Sequence, residues 1–138
     1  MHAVTSLMRV HQLVLTELDE LLRPFSLTFA RYEVLVLLSF TKRGELPLGK
    51  LGERLQVHAT SVTSLVRRLA DAGLIDRVQH PDDGRAFLAR LTDQGRTVLA
   101  EATRVITEAE FGLGALDEEQ SRQLSAVLRG PRAEAGDF

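Results

Sequence analysis

Ala59-Thr60-Ser61-Val62-Thr63-Ser64-Leu65-Val66-Arg67-Arg68-Leu69-Ala70-Asp71-Ala72-Gly73, residues 59–73, carries two patterns on one segment. Val62, Leu65, Val66 and Leu69 recur at the spacing that gathers them on one face of an α-helix. Thr60, Ser61, Thr63, Ser64, Arg67 and Arg68 are left to the other faces. Gly73 stands where a helix end needs a left-handed residue. Just upstream, Gly49 to Leu55 predicts a short helix with Leu51 and Leu55 inward, and Gln56-Val57-His58 makes a tight connection. Two helices so briefly joined, the second rich in small polar side chains, predict a helix-turn-helix.

The pattern changes after Gly73. Leu74-Ile75-Asp76-Arg77-Val78 reads as a strand, His80-Pro81-Asp82-Asp83-Gly84 as a turn, and Ala86 to Leu91 as the returning strand of a hairpin. Leu46-Pro47-Leu48 is a short extended piece in which Pro47 allows at most an edge strand.

Long helices flank this centre. Residues 4–23 show a wide apolar stripe that needs more than one neighbour, ended by Pro24. Thr28 can cap a helix to about Phe40, with Tyr32, Leu35, Val36 and Leu38 inward. Thr92 or Asp93 begins a helix expected over 93–112. Asp117 and Gln120 have capping-box spacing for a last helix to about Leu128, and residues 131–138 are expected to form a flexible tail. The predicted class is mainly α, a winged helix-turn-helix with a two-stranded wing. Residues 25–92 make up the winged centre, and residues 1–24 with 93–130 the flanking helical region.

Composition narrows the options. The chain has 138 residues, 44% of them hydrophobic, enough for one core. It contains no cysteine, which removes disulfides, thiol-based peroxide sensing and Cys-ligated zinc. His2, His11, His58 and His80 lack metal-ligand spacing, so neither metal nor cofactor is expected. No apolar run is long enough to span a membrane and the N-terminus lacks signal-peptide order, so the expected compartment is the cytoplasm. No Gly-rich phosphate loop, Ser-His-Asp set or carboxylate pair stands out, so an enzyme is not expected.

Net charge is −2, yet its distribution is uneven. Residues 50–90 hold seven basic and five acidic side chains, whereas residues 91–138 hold five and nine. A basic middle on an acidic body is compatible with double-stranded DNA as a partner. Small residues at the start of the second helix let its backbone approach base edges. The hydroxyls of Thr60, Ser61, Thr63 and Ser64 can bond bases or phosphates, and Arg67 and Arg68 add charge one turn on. Arg85, just past the hairpin turn, can enter the minor groove, with a nearby aspartate orienting its guanidinium. The plainer alternatives are a Ser/Thr face that meets only water and a surface arginine on a loop.

The order of these segments resembles the multiple antibiotic resistance regulator (MarR) family. The resemblance rests on Leu27-Thr28…Tyr32…Leu35…Leu38, Leu51-Gly52-Glu53-Arg54-Leu55, Val62-Thr63…Val66-Arg67-Arg68-Leu69, Gly73-Leu74-Ile75-Asp76-Arg77, and Asp83-Gly84-Arg85…Leu91-Thr92-Asp93-Gln94-Gly95. It spans roughly residues 5–128. It implies a homodimer held by the first helix and the last two, with recognition-helix positions at Thr60, Ser61, Thr63, Ser64, Arg67 and Arg68. It also implies Arg85 as the wing arginine and Asp83 as its partner. Two departures stand out: Gly84 replaces a frequent basic residue, and His58 occupies a cap position more usual for Ser, Thr or Asp. His58 is an alternative phosphate contact.

The resemblance further implies a repressor, released from a pseudo-palindromic operator by a small aromatic or phenolic effector. His11, within the first helix's apolar stripe, and Arg9 and Arg31 are the candidate effector contacts; a core or interface role for His11 and solvated surface roles for the arginines are the alternatives. A winged-helix protein-interaction dimer without specific DNA binding is the competing function.

Overall fold

The computed structural model describes residues 1–137. Helix α1 (His2–Leu22) runs into a short 3-10 turn, Arg23–Phe25, where Pro24 ends the α-helical ladder. Helix α2 (Phe29–Ser39) begins at Thr28, whose hydroxyl accepts the Arg31 N–H. Asp19 Oδ1 accepts the Phe29 N–H at 2.7 Å, tying α1 to the start of α2. Val34, Leu35 and Leu38 are fully buried while Val36 is half-buried, so the inner face of α2 is turned from the expected one towards Val34.

Strand β1 (Glu45–Pro47), helix α3 (Leu48–Leu55) and helix α4 (Ala59–Asp71) follow, then strands β2 (Ile75–His80) and β3 (Asp83–Leu91). The two-stranded wing, β2 with β3, is joined by β1 in a three-stranded sheet of order β1-β3-β2. β1 pairs antiparallel with β3, Leu46 opposite Ala89, at the sheet's edge as Pro47 requires. The Arg90 guanidinium meets Glu45 Oε2 at 2.8 Å across that pair. The hairpin is also tighter than expected. His80 pairs with Asp83, leaving Pro81-Asp82 as the turn, and Asp83, Gly84 and Arg85 belong to β3.

Helix α5 (Asp93–Glu108) is capped by the Thr92 hydroxyl, which accepts the Gly95 N–H at 2.9 Å. It stops short of residue 112 because Glu110, Phe111 and Gly112 all take left-handed φ values, a local reversal incompatible with a continuing helix. Tyr32 Oη and Thr103 Oγ1 lie 3.0 Å apart, joining α2 to α5. Helix α6 (Glu118–Glu134) opens with the Asp117/Gln120 capping box. It continues through Gly130 and Pro131, so the segment expected as a tail is helical to Glu134; Phe138 lies outside the described residues.

One core joins α1, α2, α3, α4, α5 and the sheet around Leu22, Leu35, Leu38, Leu51, Val66, Leu69, Ile75 and Ile106. Two elements stand apart from it. The first half of α1 exposes Val4, Leu7, Met8, Val10 and Leu13, and α6 buries none of its residues and leaves Val127 73% exposed. Among the described residues, no helix is long and apolar enough to cross a membrane.

Candidate nucleic-acid interface

The helix-turn-helix is fixed by close packing at Gly52. A β-carbon there would meet Val62 Cγ2 at 3.2 Å and the Val57 carbonyl at 3.4 Å, so the Val62 side chain of α4 and the connecting turn both pack directly on the α3 backbone. Gln56 ends α3 in a left-handed conformation (φ 52°) and turns the chain into α4. His58 is the N-cap: its Nδ1 accepts the Thr60 N–H at 3.2 Å. The imidazole therefore does the work usually given to Ser, Thr or Asp.

Val62, Val66 and Leu69 are buried beneath α4, with Leu65 half-buried. Thr60, Ser61, Thr63, Arg67 and Arg68 are exposed, and Ser64 is half-buried. Five of the six sequence-predicted residues of α4 thus lie on the part of the helix left uncovered, and Ser64 is partly covered. Two of the hydroxyls are engaged. Thr60 Oγ1 lies 3.0 Å from His58 Nδ1, and Thr63 Oγ1 donates to the Ala59 carbonyl at 3.1 Å. Ser61 and Ser64 make no side-chain hydrogen bond among the described residues.

Charge on this surface is available rather than spent internally. Lys50 is held by Glu53 at 2.7 Å. Arg54, Arg67, Arg68 and Arg85 form no ion pair among the described residues, so none of their charges is spent on an internal pair.

The wing departs from expectation in one respect. Asp83 does not grip the Arg85 guanidinium; its Oδ1 accepts the Arg85 backbone N–H at 3.0 Å. A carboxylate two residues before a free N–H closes a local turn more readily than it orders a long, flexible side chain. Nor does Asp82 form an ion pair among the described residues, so both acids at the tip are unneutralised by arginine. Gln79 Nε2 donates to the Gly84 carbonyl at 2.6 Å and braces the two strands. The Arg77 guanidinium lies 3.8 Å from the centroid of the Phe87 ring. Sequence reasoning missed that contact, although it was legible once the hairpin register was drawn. Arg77 opposes Ala89, two residues from Phe87, which makes a diagonal cross-strand pair.

The expected effector contacts do not converge. Arg9 and His11 are exposed on the unpacked half of α1. Arg31 is occupied locally, donating to the Ser26 carbonyl at 2.7 Å and the Thr28 hydroxyl at 3.3 Å. No hydrogen bond or ion pair among the described residues joins any two of the three.

A family model, "MarR family", matches residues 27–87, the segment from α2 to the middle of the wing. The uncharacterised HTH-type transcriptional regulator YhbI of Bacillus subtilis is 30% identical over 112 residues, 81% of this chain and 70% of YhbI. Sco5413 of Streptomyces coelicolor, a MarR family transcriptional regulator of known crystal structure, is 51% identical and superposes with a TM-score of 0.95 over 100% of this chain and 96% of its own. The chain belongs to the MarR family. Another MarR family regulator from Streptomyces coelicolor, Sco3205, solved in complex with DNA, is 25% identical with a TM-score of 0.83 over 92% of this chain and 82% of its own. Across the curated relatives, the matched stretch takes in from 50% to 72% of the relative's length. As in its MarR relatives, the fold joins a helix-turn-helix and a β-wing, and the family is one of DNA-binding transcriptional regulators.

Proposed function

We propose that the chain binds a pseudo-palindromic operator as a homodimer and represses transcription until a small effector releases it. The observation that carries this is the set of uncommitted arginines, Arg67 and Arg68 on α4 and Arg85 on the wing, flanking outward hydroxyls at Thr60, Ser61, Thr63 and Ser64. Helix α4 enters the major groove by its N-terminal part, and Arg85 enters the flanking minor groove. Asp83 shapes the strand backbone that presents Arg85.

The dimer is supported by the apolar face of α1 from Val4 to Leu13 and by α6, neither of which is covered within one chain. Joining those faces across a two-fold axis, together with α5, buries them and sets two α4 helices toward successive major grooves, about 10 bp apart. Residues 25–92 then form the DNA-binding lobe, and residues 1–24 with 93–130 the dimerisation lobe. The repressor sense is supported by relatives that carry that word in their names. An aromatic or phenolic effector bound between the lobes would act by preferring a spacing that misaligns both α4 helices. A preference of a few kcal/mol suffices for that shift. In the dimer, Arg9 and His11 lie near the covered face of α1 and are the residues we assign to effector response; Arg31 serves instead to hold the start of α2. The cytoplasm is the compartment this function requires.

The test is light scattering of the protein with and without a duplex selected from random DNA. The proposal expects two chains in the free protein and two per duplex. A monomer in both samples, or a dimer that selects no sequence, would contradict it.

A further inference from the structure

The hydrogens on two recognition-helix hydroxyls are already committed, and that fixes what those residues can read. In its Nε2–H tautomer, His58 accepts the Thr60 N–H at Nδ1. Thr60 Oγ1 lies 3.0 Å from the same nitrogen. Two lone-pair carriers at that distance need a hydrogen between them, and the hydroxyl alone can supply it. In that tautomer the Thr60 O–H donates to His58 as well, sharing the single Nδ1 lone pair with the Thr60 N–H. Thr63 reaches the same condition by a different route, its O–H donating to the carbonyl of Ala59 one turn back. Both side chains are exposed, and what each presents outward is an oxygen with lone pairs and no free hydrogen.

We infer that Thr60 and Thr63 act as hydrogen-bond acceptors in the major groove, each selecting an exocyclic amino group, adenine N6 or cytosine N4. These are the groove's only base donors; guanine N7 and O6, adenine N7 and thymine O4 are acceptors. The two threonines stand three residues apart, with Arg67 four further on, in one row along α4. The row is thus polarised, acceptors at its N-terminal end and a donor-only guanidinium beyond. Ser61 and Ser64, with no internal partner among the described residues, keep a hydroxyl that turns either way. His58 is a positioning residue: it touches no base in this scheme but holds the Thr60 hydrogen away from the groove.

The inference rests on the DNA-binding proposal, and its test separates the two. A duplex is first selected from random sequence with the full chain. Single amino groups are then deleted in each half-site, purine replacing adenine and 2-pyrimidinone replacing cytosine. The wild type should lose about five- to tenfold in affinity at two positions per half-site, the worth of a neutral hydrogen bond. Thr60→Val should abolish the sensitivity at one position and Thr63→Val at the other, with Thr60→Ser and Thr63→Ser restoring it. His58→Ala should relax the first position and spare the second; circular dichroism would confirm that the variant is folded. Specific binding with no amino-group dependence that these valines remove overturns the inference and leaves the regulator standing. So does dependence on base acceptors at those positions. Failure to select any sequence overturns both.

Discussion

Gly95 sits so close to the carbonyl of Leu74 that a β-carbon on it would overlap that oxygen and would also lie 2.8 Å from Leu91 Cδ1. The first turn of α5 is thereby fastened to the start of β2. Three further bonds lock the same corner: Thr92 N–H to the Leu74 carbonyl, Thr92 O–H to the Gly73 carbonyl and Gly95 N–H to Thr92 Oγ1, at 3.1, 2.8 and 2.9 Å. Here the wing's base meets the helix proposed to carry the dimer. Because the obstructing atom is backbone, Gly95→Ala cannot be absorbed by a rotamer change. It should destabilise the fold by about 1–3 kcal/mol, read as a lower urea midpoint at fixed protein concentration. An unchanged midpoint would show that this corner is not close-packed.

Arg85 has no ion-pair partner among the described residues, so removing it exposes no orphaned acid. Arg85→Ala should leave the melting temperature unchanged and weaken operator binding by about tenfold or more, because a dimer loses the contact twice. Gel-shift titration reads this directly. Unchanged affinity would contradict the assignment of the wing to DNA.

Since α6 buries none of its own residues, it contributes little to a single chain's core. Truncation after Leu116 should therefore retain the winged lobe's circular dichroism while abolishing the dimer. Light scattering that still finds two chains would place the interface elsewhere.

Glu33, half-buried on α2 and without an ion pair among the described residues, has its carboxyl held above the ordinary glutamate value by desolvation. The folded state then holds the proton more tightly than the unfolded one. Stability falls as pH rises from the ordinary value through the raised one, and the penalty is complete above it. Glu33→Gln should raise the melting temperature at pH 7, with the gain shrinking towards acid pH. A variant that is less stable at pH 7 would mean that the carboxylate has a favourable partner in the dimer.

Much of this was legible in the sequence because local patterns and tertiary packing agree. The apolar spacing of α4, the Thr28 cap, the Asp117/Gln120 box and the edge position that Pro47 demands all reappear. The misses came where a competing local interaction won. Asp83 took the nearest N–H in place of the guanidinium, so sequence proximity between acid and base was a poor guide. α5 stopped early because three consecutive residues reverse the chain, a conformation that Glu110 and Phe111 do not advertise. α6 ran on past Gly130 and Pro131, which were poor stop signals without a packing partner to break against. His58 stands out in the sequence as an unusual cap, but its contact with the Thr60 hydroxyl depends on a ring orientation that the fold sets.

The most direct test of the central claim is the salt dependence of operator affinity. Each phosphate contact released by salt adds about −0.9 to the slope of log K against log salt. If Arg67, Arg68 and Arg85 of both subunits face phosphates or the minor groove, the slope should be about −5, with one dimer bound per site. A slope near zero, or no binding at low salt from a confirmed dimer, would contradict the regulator and favour a winged-helix dimer that recognises another protein.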